Sequence, residues 1–330
     1  MPGVFSTNAC FPSECHRQQH VYYFDFNIIN FQLFMYYILY SFLWIITWLP
    51  LGVLYLFSDI CFPVVYYIVR YRRKVVRLNL TTSFPDKTEK EIRTLERKFY
   101  RFFCDLFIEI IFEMHISEKD IVRRMTYGNL EGLMEQNANH KSVMIMTAHY
   151  GNWEWLLGFT AFSPKSYPSN PIYKKLRNKQ FDAFIYRLRT RHGASIIEKN
   201  DLLRTMYRYQ KENHLANYWM ISDQTPNAHS IHYWTNFLNQ DTPAIVGTEQ
   251  LARKFDYPVF FADISRIKRG YYHCEFIPIA MEPKKTVEFE ITERYMNMLQ
   301  KSIEAHPEFW LWSHRRWKFQ REPPTPKQAV

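Results

Sequence analysis

Cysteine is scarce in this sequence of 330 residues, and acidic residues are outnumbered by basic ones. The five cysteines are an odd number and form no Cys-x-x-Cys pair. Neither a disulfide framework nor a metal site is therefore expected, and a reducing compartment is the simplest interpretation. No Gly-x-Ser-x-Gly elbow occurs, and no cysteine has a strong cue for nucleophilic catalysis. The sequence predicts no cofactor.

The excess of basic and aromatic residues narrows the class of partner. Lysine and arginine number 42 against 32 aspartates and glutamates, for a formal net charge of +10, and 18% of the residues are aromatic. Such a chain suits an anionic surface, either nucleic acid or a membrane. No helix-turn-helix signature, zinc-finger spacing or aromatic RNA-binding motif is present, so nucleic acid is not expected. Interfacial aromatics with Lys and Arg facing head groups indicate a membrane.

One strongly apolar segment, residues 31–69, is predicted to be a membrane anchor. It contains 24 consecutive residues without a charge, Phe34 to Phe57, and about 20 apolar residues span a bilayer as a helix. Pro50 interrupts the run, so a kinked spanning helix and a surface-lying hairpin both remain open. The basic cluster Arg70–Arg77 follows directly and marks the cytoplasmic side of the membrane.

The segments divide the chain into four regions. Residues 1–30 read as a polar tail, 31–69 as the anchor, 70–320 as one large domain, and the Pro-rich residues 321–330 as a disordered tail. Within the large domain, strands alternate with helices after two initial helices. This order predicts an α/β fold with a mixed, mainly parallel sheet flanked by helices.

Individual elements follow from apolar runs and capping signals. A capping box at Thr88–Glu91 predicts a long amphipathic helix with a Phe-rich stripe, and Ser117 begins another helix. The Pro164–Pro171 stretch reads as a loop, and Gly193 as the C-cap of a basic helix. Strands are predicted at 143–146, 195–197, 216–222, 258–264 and 271–279, and further helices at 201–211, 242–255 and 290–305.

The first apolar strand ends in residues that suit acid–base chemistry. His149 lies just beyond it, and Glu154 falls in the first turn of the next helix. Across a tight turn, the carboxylate can hold one ring nitrogen and leave the other free as a general base. Asp223 follows the strand 216–222 in the same way. Ligands of open α/β sheets bind beyond such strand ends.

Several separated stretches resemble the lipid A biosynthesis late (secondary) acyltransferases, which have a glycerolipid acyltransferase-like fold. The stretches keep the family's order across roughly residues 33–318. They are Tyr71-Arg-Arg-Lys-Val-Val with Asn79-Leu80, His149-Tyr-Gly-Asn-Trp-Glu154, Tyr173-Lys174, Asp223-Gln224 and Trp310-Leu-Trp-Ser-His-Arg-Arg-Trp-Lys318. Two positions depart from the family pattern: Lys174-Lys175 replaces Arg-Pro, and Pro226 stands where a second acid is frequent.

The resemblance implies transfer of a fatty acyl chain from acyl carrier protein, or from coenzyme A, to a hydroxyl of a lipid A precursor. His149 is then the general base and Glu154 the carboxylate that orients it. Lys174, or a backbone N–H near Gly151-Asn152, meets the developing oxyanion. The remaining substrate-binding candidates are Asp223, Arg315 and Arg316, and the basic face from Arg187 to Arg191 suits an acidic carrier protein.

Other interpretations remain open from the sequence. Another lipid hydroxyl, such as that of a lysophospholipid or a hydroxyacyl aminolipid, is a possible acceptor. A metal-dependent hydrolase is another alternative, with His149, Glu154 and Asp223 as metal ligands, although their spacing matches no standard zinc pattern. A non-enzymatic membrane-surface protein would retain its role without His149.

Overall fold

The computed structural model describes residues 36–176 and 178–321. The predicted tail at 1–30, the first residues of the predicted anchor and residues 322–330 lie outside this part of the chain. The chain divides into two compact units, one ending at Leu49 and one beginning at Pro50. The N-terminal unit contains the short apolar helix α1, Tyr36–Ile46.

The main unit begins with a second apolar helix. Helix α2, Leu51–Pro63, continues as a π-helical segment, Val64–Val69. Pro50 precedes it in an extended conformation, which confirms the predicted break. In the described part of the chain, Leu51–Val69 is the one helix long and apolar enough to cross a membrane, by length and composition only. That criterion also admits core helices.

A sheet of seven strands occupies the centre of the main unit, in the order β1-β9-β8-β2-β5-β3-β4. All neighbouring pairs are parallel except β8 and β9, which form the predicted antiparallel hairpin. The mixed, mainly parallel sheet is therefore confirmed. Its strands are β1 (Met125–Gly128), β2 (Val143–Thr147), β3 (Ser169–Tyr173), β4 (Ile197–Glu198), β5 (Asn217–Ile221), β8 (Val259–Lys268) and β9 (Tyr271–Ala280).

Helices flank this sheet, and a separate hairpin accompanies it. The helices are α3 (Arg73–Ser83), α4 (Glu89–Phe112), α5 (Glu118–Arg124), α6 (Leu130–Ala138), α7 (Lys179–Thr190), α8 (Leu202–Lys211), α9 (Gly247–Phe255) and α10 (Glu290–Ala305). The hairpin pairs β6 (Trp234–Phe237) with β7 (Gln240–Pro243). The predicted capping box at Thr88 is confirmed, because both of its reciprocal hydrogen bonds form at the start of α4.

Strand β2 is the best-buried strand and positions the site. All five of its residues are buried, as expected for a strand with parallel neighbours on both sides and layers above and below. Its register with β5 places Thr147 opposite Ile221. The carboxyl ends of the two strands therefore lie side by side, together with the residues that follow them.

Two predicted elements are wrong. The stretch predicted as a loop contains β3, which pairs with β5 from Ser169 to Pro171. Its Ser, Asn and Pro residues are turn formers, so only the tertiary pairing makes it a strand. The helix predicted from Thr242 begins at Gly247 instead, since the preceding residues form the β6–β7 hairpin.

Candidate active site

His149 emerges from β2 into a turn that only glycine accommodates. Gly151 adopts a φ of +58°, and a Cβ at this position would lie 2.7 Å from Cγ2 of Ile264. The turn is also held from outside, because Gly151 N–H donates to the Phe309 carbonyl and the His149 carbonyl accepts from Leu311 N–H, at 3.0 and 3.1 Å. The His149 side chain stays 19% exposed.

Asp223 is the carboxylate that contacts the imidazole. Its Oδ1 lies 2.8 Å from His149 Nδ1, and its Oδ2 accepts from the His149 backbone N–H at 3.0 Å. Trp310 Nε1–H donates to the same Oδ2 at 2.9 Å. This arrangement fixes the imidazole tautomer with Nδ1 protonated and leaves Nε2 available as a base.

Asp223 remains ionised despite its burial. Burial alone raises the pKa of this carboxyl, but the electrostatic attraction of His149 and the hydrogen bonds from His149 and Trp310 outweigh it. The pKa of Asp223 therefore lies below its usual range. A buried carboxylate in this position stabilises a positive charge on the imidazole.

Glu154 is engaged by a different partner. Its two oxygens accept from Arg189 Nε and Nη2 at 2.9 and 2.6 Å, and Trp153 Nε1–H donates to it at 3.0 Å. The direct hydrogen bond to His149 that the sequence suggested is absent from the described residues, since Asp223 occupies Nδ1. Trp153 lies between the two groups, with its ring 5.0 Å from the His149 ring.

The Arg189 pair also sets the charge of Glu154. Burial raises the pKa of the Glu154 carboxyl, but the adjacent guanidinium and its hydrogen bonds hold the pKa below the usual range. Arg189 was predicted on an outward face for a carrier protein, and it points inward instead. Arg187 of the same helix α7 is exposed, while Arg191 donates to the Glu113 carbonyl at 2.6 Å.

The C-terminal arginines separate into one exposed and one buried side chain. Arg315 is exposed, as a substrate-binding residue requires. Arg316 is fully buried and donates to the Pro243 carbonyl at 2.8 Å, so the predicted direct contact with substrate is not available to it. Its Nε and Nη1 have no hydrogen-bond partner within the described ranges. Burial lowers the pKa of the Arg316 guanidinium to about 10, so it remains charged.

A cavity of about 700 Å³ opens beside His149. Lys174 lines it, as does Gln224, whose side-chain nitrogen lies 3.3 Å from both ring nitrogens of His149. The structure thus brings His149, Asp223, Gln224 and Lys174 together. Aliphatic side chains form much of the remaining wall, among them Ile172, Leu202, Leu203, Met220, Val246 and Leu251.

Sequence reasoning missed Trp310 and Arg189 as partners of the two site carboxylates. Trp310 and Asp223 are 87 residues apart, and no spacing signal connects them. Gln224 was noted only as part of a motif. Groups of three or more His, Cys, Asp or Glu side chains able to hold a metal do not occur in the described residues.

Together these features describe an α/β protein in which an imidazole, held by a buried carboxylate, lies beside a partly apolar cavity. The comparisons with known proteins identify the family. The model of the bacterial lipid A biosynthesis acyltransferases matches residues 24–319, and the chain belongs to this family. It is therefore an acyltransferase.

Curated relatives agree with this assignment at low identity. The chain is similar to the lipid A biosynthesis lauroyltransferase of Escherichia coli (strain K12), with 24% identity over 292 residues, covering 84% of this chain and 92% of the relative. It is also similar to the lipid A biosynthesis palmitoleoyltransferase of the same organism, with 22% identity over 286 residues, covering 83% and 91%. A lipid A biosynthesis acyltransferase of Shigella flexneri matches to the same extent.

Proposed function

We propose that this chain transfers a fatty acyl group from an acyl carrier protein thioester to a hydroxyl of a lipid A precursor. The observation that carries the mechanism is the 2.8 Å contact between His149 Nδ1 and Asp223 Oδ1 beside the cavity. The names of the relatives and the family support the acceptor. The hydroxyl of a 3-hydroxyacyl chain is the proposed nucleophile.

In the first step the acceptor oxygen attacks the thioester carbonyl carbon while His149 Nε2 takes the hydroxyl proton. Asp223 stabilises the imidazolium that results. The tetrahedral intermediate then collapses with cleavage of the C–S bond, and the imidazolium returns the proton to the departing thiolate. Base assistance of this kind contributes about 10²–10⁴-fold to the rate.

The oxyanion needs a positive or N–H donor in the cavity wall. We assign Lys174 to this role, with the Gln224 amide as a second donor, because both line the cavity beside His149. The Gly151 N–H, one backbone candidate from the sequence, already donates to the Phe309 carbonyl. A donor that is fixed before the charge develops stabilises the transition state most effectively.

Glu154 is proposed to position the site without contacting the reacting groups. Its bidentate pair with Arg189 connects α7 to the turn that follows His149. Trp153 lies between Glu154 and His149 and contacts both. This role differs from that of a carboxylate that binds and orients His149. Loss of a partner from a largely buried ion pair costs about 3–5 kcal/mol of stability, whereas loss of the carboxylate that orients the base lowers the rate directly.

The partners and location follow from charge. Acyl carrier proteins are acidic, and the net charge of +10 with the exposed Arg187 and Arg315 favours such a donor; a coenzyme A thioester is the second donor to assay. The apolar helices α1 and α2 and the basic Arg70–Arg77 segment support a location at the inner membrane, with the site on its cytoplasmic side.

Acyl transfer by the detergent-purified protein tests the proposal. The protein is supplied with acyl carrier protein charged with a mixture of chain lengths and with a tetra-acylated lipid A precursor, and the products are analysed by mass spectrometry. We expect a precursor heavier by one acyl group, and a rate about 10²–10⁴-fold lower in His149→Ala. Thioester turnover that depends on His149 but leaves the precursor unmodified would instead favour another lipid hydroxyl as acceptor.

A pair of carboxamide variants separates the two carboxylates. Asp223→Asn is expected to lower kcat by about 10²–10⁴-fold, because the amide no longer enforces the tautomer or stabilises the imidazolium. Glu154→Gln is expected to lower the melting temperature clearly, with only a small loss of kcat. A kcat loss in Glu154→Gln as deep as that of His149→Ala, with Asp223→Asn active, would restore Glu154 as the orienting carboxylate.

A further inference from the structure

Helix Leu51–Val69 presents two faces of opposite character. One face packs on the protein through Leu51, Leu54, Tyr55, Ser58 and Tyr66, which are all buried. The opposite face carries a stripe of aliphatic residues at four-residue spacing, and all of them are exposed. They are Leu56, Ile60, Val64 and Ile68, with Ile68 75% exposed; we call them the outer stripe.

Polar contacts fix the inner face to the protein. Tyr55 Oη–H donates to Glu109 at 2.5 Å, and Ser58 Oγ–H donates to Asp105 at 2.7 Å. Both acids lie on α4 and are buried. Withdrawal of the helix into a bilayer would leave these two carboxyl groups without the two hydroxyl donors, which is costly for buried polar groups.

A salt-bridge network closes one flank of the same helix. Arg269 pairs with Asp59 of the helix at 2.7 Å and also with Asp105. Helix α4, against which this helix packs, carries exposed cations along the same stretch, including Arg97, Lys98 and Arg101. The two helices therefore do not enter a hydrocarbon core together.

Cations follow the outer stripe without interruption. Arg70 and Arg72 both have positive φ values, of 52° and 49°, and the chain turns sharply between the π-helical segment and α3. A cleft at this turn is lined by Arg70, Arg72, Arg73, Lys74, Val75 and Arg77. Arg73 and Arg77 pair with Glu96, whereas Arg70 and Lys74 have no carboxylate partner in the described ranges.

We infer that Leu51–Val69 lies in the plane of an anionic phospholipid bilayer, with the outer stripe among the acyl chains and Arg70 and Lys74 against lipid phosphates. An apolar helix face that ends in cations matches the pattern of interfacial helices, which enter a bilayer by about 5–10 Å. The charge complementarity selects an anionic bilayer over a second protein as the occupant. The inference concerns attachment and does not depend on the reaction proposed above.

This attachment also places the site near the bilayer. Arg72 Nη1–H donates to the Ser313 carbonyl at 3.0 Å. The next residue, His314, contacts Thr225 at 3.4 Å, and Thr225 follows the Gln224 that touches His149. The basic end of the helix is thus connected to the site through one short segment, and an amphiphilic acceptor has a short path from the membrane.

Depth measurements on the full-length protein in vesicles test the inference. Cys10, Cys15 and Cys61 are replaced by Ser, and a spin label is placed at Leu56→Cys or at Ile68→Cys. These positions are 12 residues apart, so a helix along the membrane normal separates them in depth by about 18 Å. We expect equal depths, about 5–10 Å below the phosphates. A graded depth, or two labels in water, would overturn the inference.

Matched variants isolate the stripe from any other attachment of the chain. A label at Val287→Cys, which is 69% exposed, is expected to remain in water. The double variant Arg70→Gln/Lys74→Gln is expected to lower the immersed-to-free ratio of the Ile68 label about 5-fold per charge on anionic vesicles. Lys211→Gln/Lys284→Gln, which removes two exposed cations elsewhere, is expected to leave it unchanged. Equal effects of the two pairs would show that the cleft is not the contact.

Discussion

Burial lowers the pKa of two C-terminal side chains, His314 and Arg316, that interact with Asp223. His314 is half-buried, and burial lowers the pKa of its imidazole to about 4, so it is neutral at physiological pH. The fully buried Arg316 remains charged, and its attraction to Asp223 counters the effect of burial on its own pKa. A neutral imidazole and a charged guanidinium therefore interact with the Asp223 carboxylate that holds His149. Small changes in hydrogen bonding at these side chains are expected to change the rate.

Glu113 is expected to make stability depend on pH. Burial raises the pKa of this carboxyl well above its ordinary range, and the Glu154 carboxylate adds to the effect while Arg189 and Arg191 oppose it. Neither oxygen has a hydrogen-bond partner within the described residues. The native state therefore holds a proton that the unfolded state releases above about pH 4.3. The stability that this proton confers is complete below that pH and is lost as the pH rises towards the native pKa.

Thermal unfolding of Glu113→Gln across pH tests this linkage. The isosteric amide does not titrate, so we expect equal melting temperatures near pH 4 and a higher value for the variant near pH 7.5. Each kcal/mol gained corresponds to roughly 2–4 °C. Glu288→Gln, at an exposed position, is the control and is expected to show no such trend. A Glu113→Gln profile parallel to the wild type would mean that Glu113 is ionised in the native state.

Gly151→Ala is expected to damage both stability and activity. A left-handed φ costs an alanine about 1–2 kcal/mol, and the new methyl would lie 2.7 Å from Ile264 Cγ2. The turn must then move, and His149 moves with it. We expect kcat to fall at least 10-fold. Thermal unfolding and steady-state kinetics measure the two effects. Gly52→Ala, where no atom lies within 4 Å of the added Cβ, is the control and is expected to lower neither the melting temperature nor kcat.

The C-terminal segment Phe309–Arg316 acts as a further element of the site. It pairs with the His149 turn through the Tyr150–Trp310 bridge. It also receives two hydrogen bonds from Asn79 Nδ2, to the carbonyls of Trp312 and His314, at 2.8 and 2.9 Å. This explains why residues about 160 positions beyond the histidine belong to one functional unit.

Trp310→Phe is expected to lower kcat about 10-fold with the fold retained. The substitution keeps an aromatic ring at this position and removes the pyrrole part of the indole, with the N–H that donates to Asp223 Oδ2 at 2.9 Å. A hydrogen bond to a charged group contributes about 1.5–3 kcal/mol. Steady-state kinetics and thermal unfolding are measured together. Trp312→Phe is the matched control, because its indole N–H donates to the Pro307 carbonyl instead; it is expected to lower stability and leave kcat intact.

Elements with a local signal were predictable from the sequence, and the partners across the site were not. The apolar run before His149 and the capping box at Thr88 identify β2 and α4, because periodicity and side-chain caps act within a few residues. Strand β3 depends on pairing with β5, which no local preference encodes. The same applies to the carboxylates: Glu154 is near His149 in sequence, but Asp223 reaches it through the register of β2 and β5.

The sheet order explains how distant residues converge on one cavity. Strand β2 lies between β5 and β8, so the groups that follow β2 and β5 share one edge of the sheet. Lys174 follows β3, the next strand along, and Leu251 projects from helix α9 into the same cavity wall. The turn after β2, strands β3 and β5 and helices α8 and α9 thus all contribute to the cavity wall. The depth of the cavity depends on side chains far from the motifs, such as Leu251.

Leu251→Trp is expected to shift the acyl chain preference towards shorter chains. Leu251 lines the 700 Å³ cavity, and an indole in its place occupies space that the end of a hydrocarbon chain would otherwise fill. Each methylene that remains unburied costs about 0.8 kcal/mol, or roughly 4-fold in competition between neighbouring chain lengths. Competition among mixed acyl carrier protein thioesters, with the products analysed by mass spectrometry, measures the shift. Ile267→Trp, on an exposed stretch outside the cavity, is expected to leave the distribution unchanged. If both variants transfer the same chains as the wild type, the acyl group lies elsewhere and the cavity holds another part of the substrates.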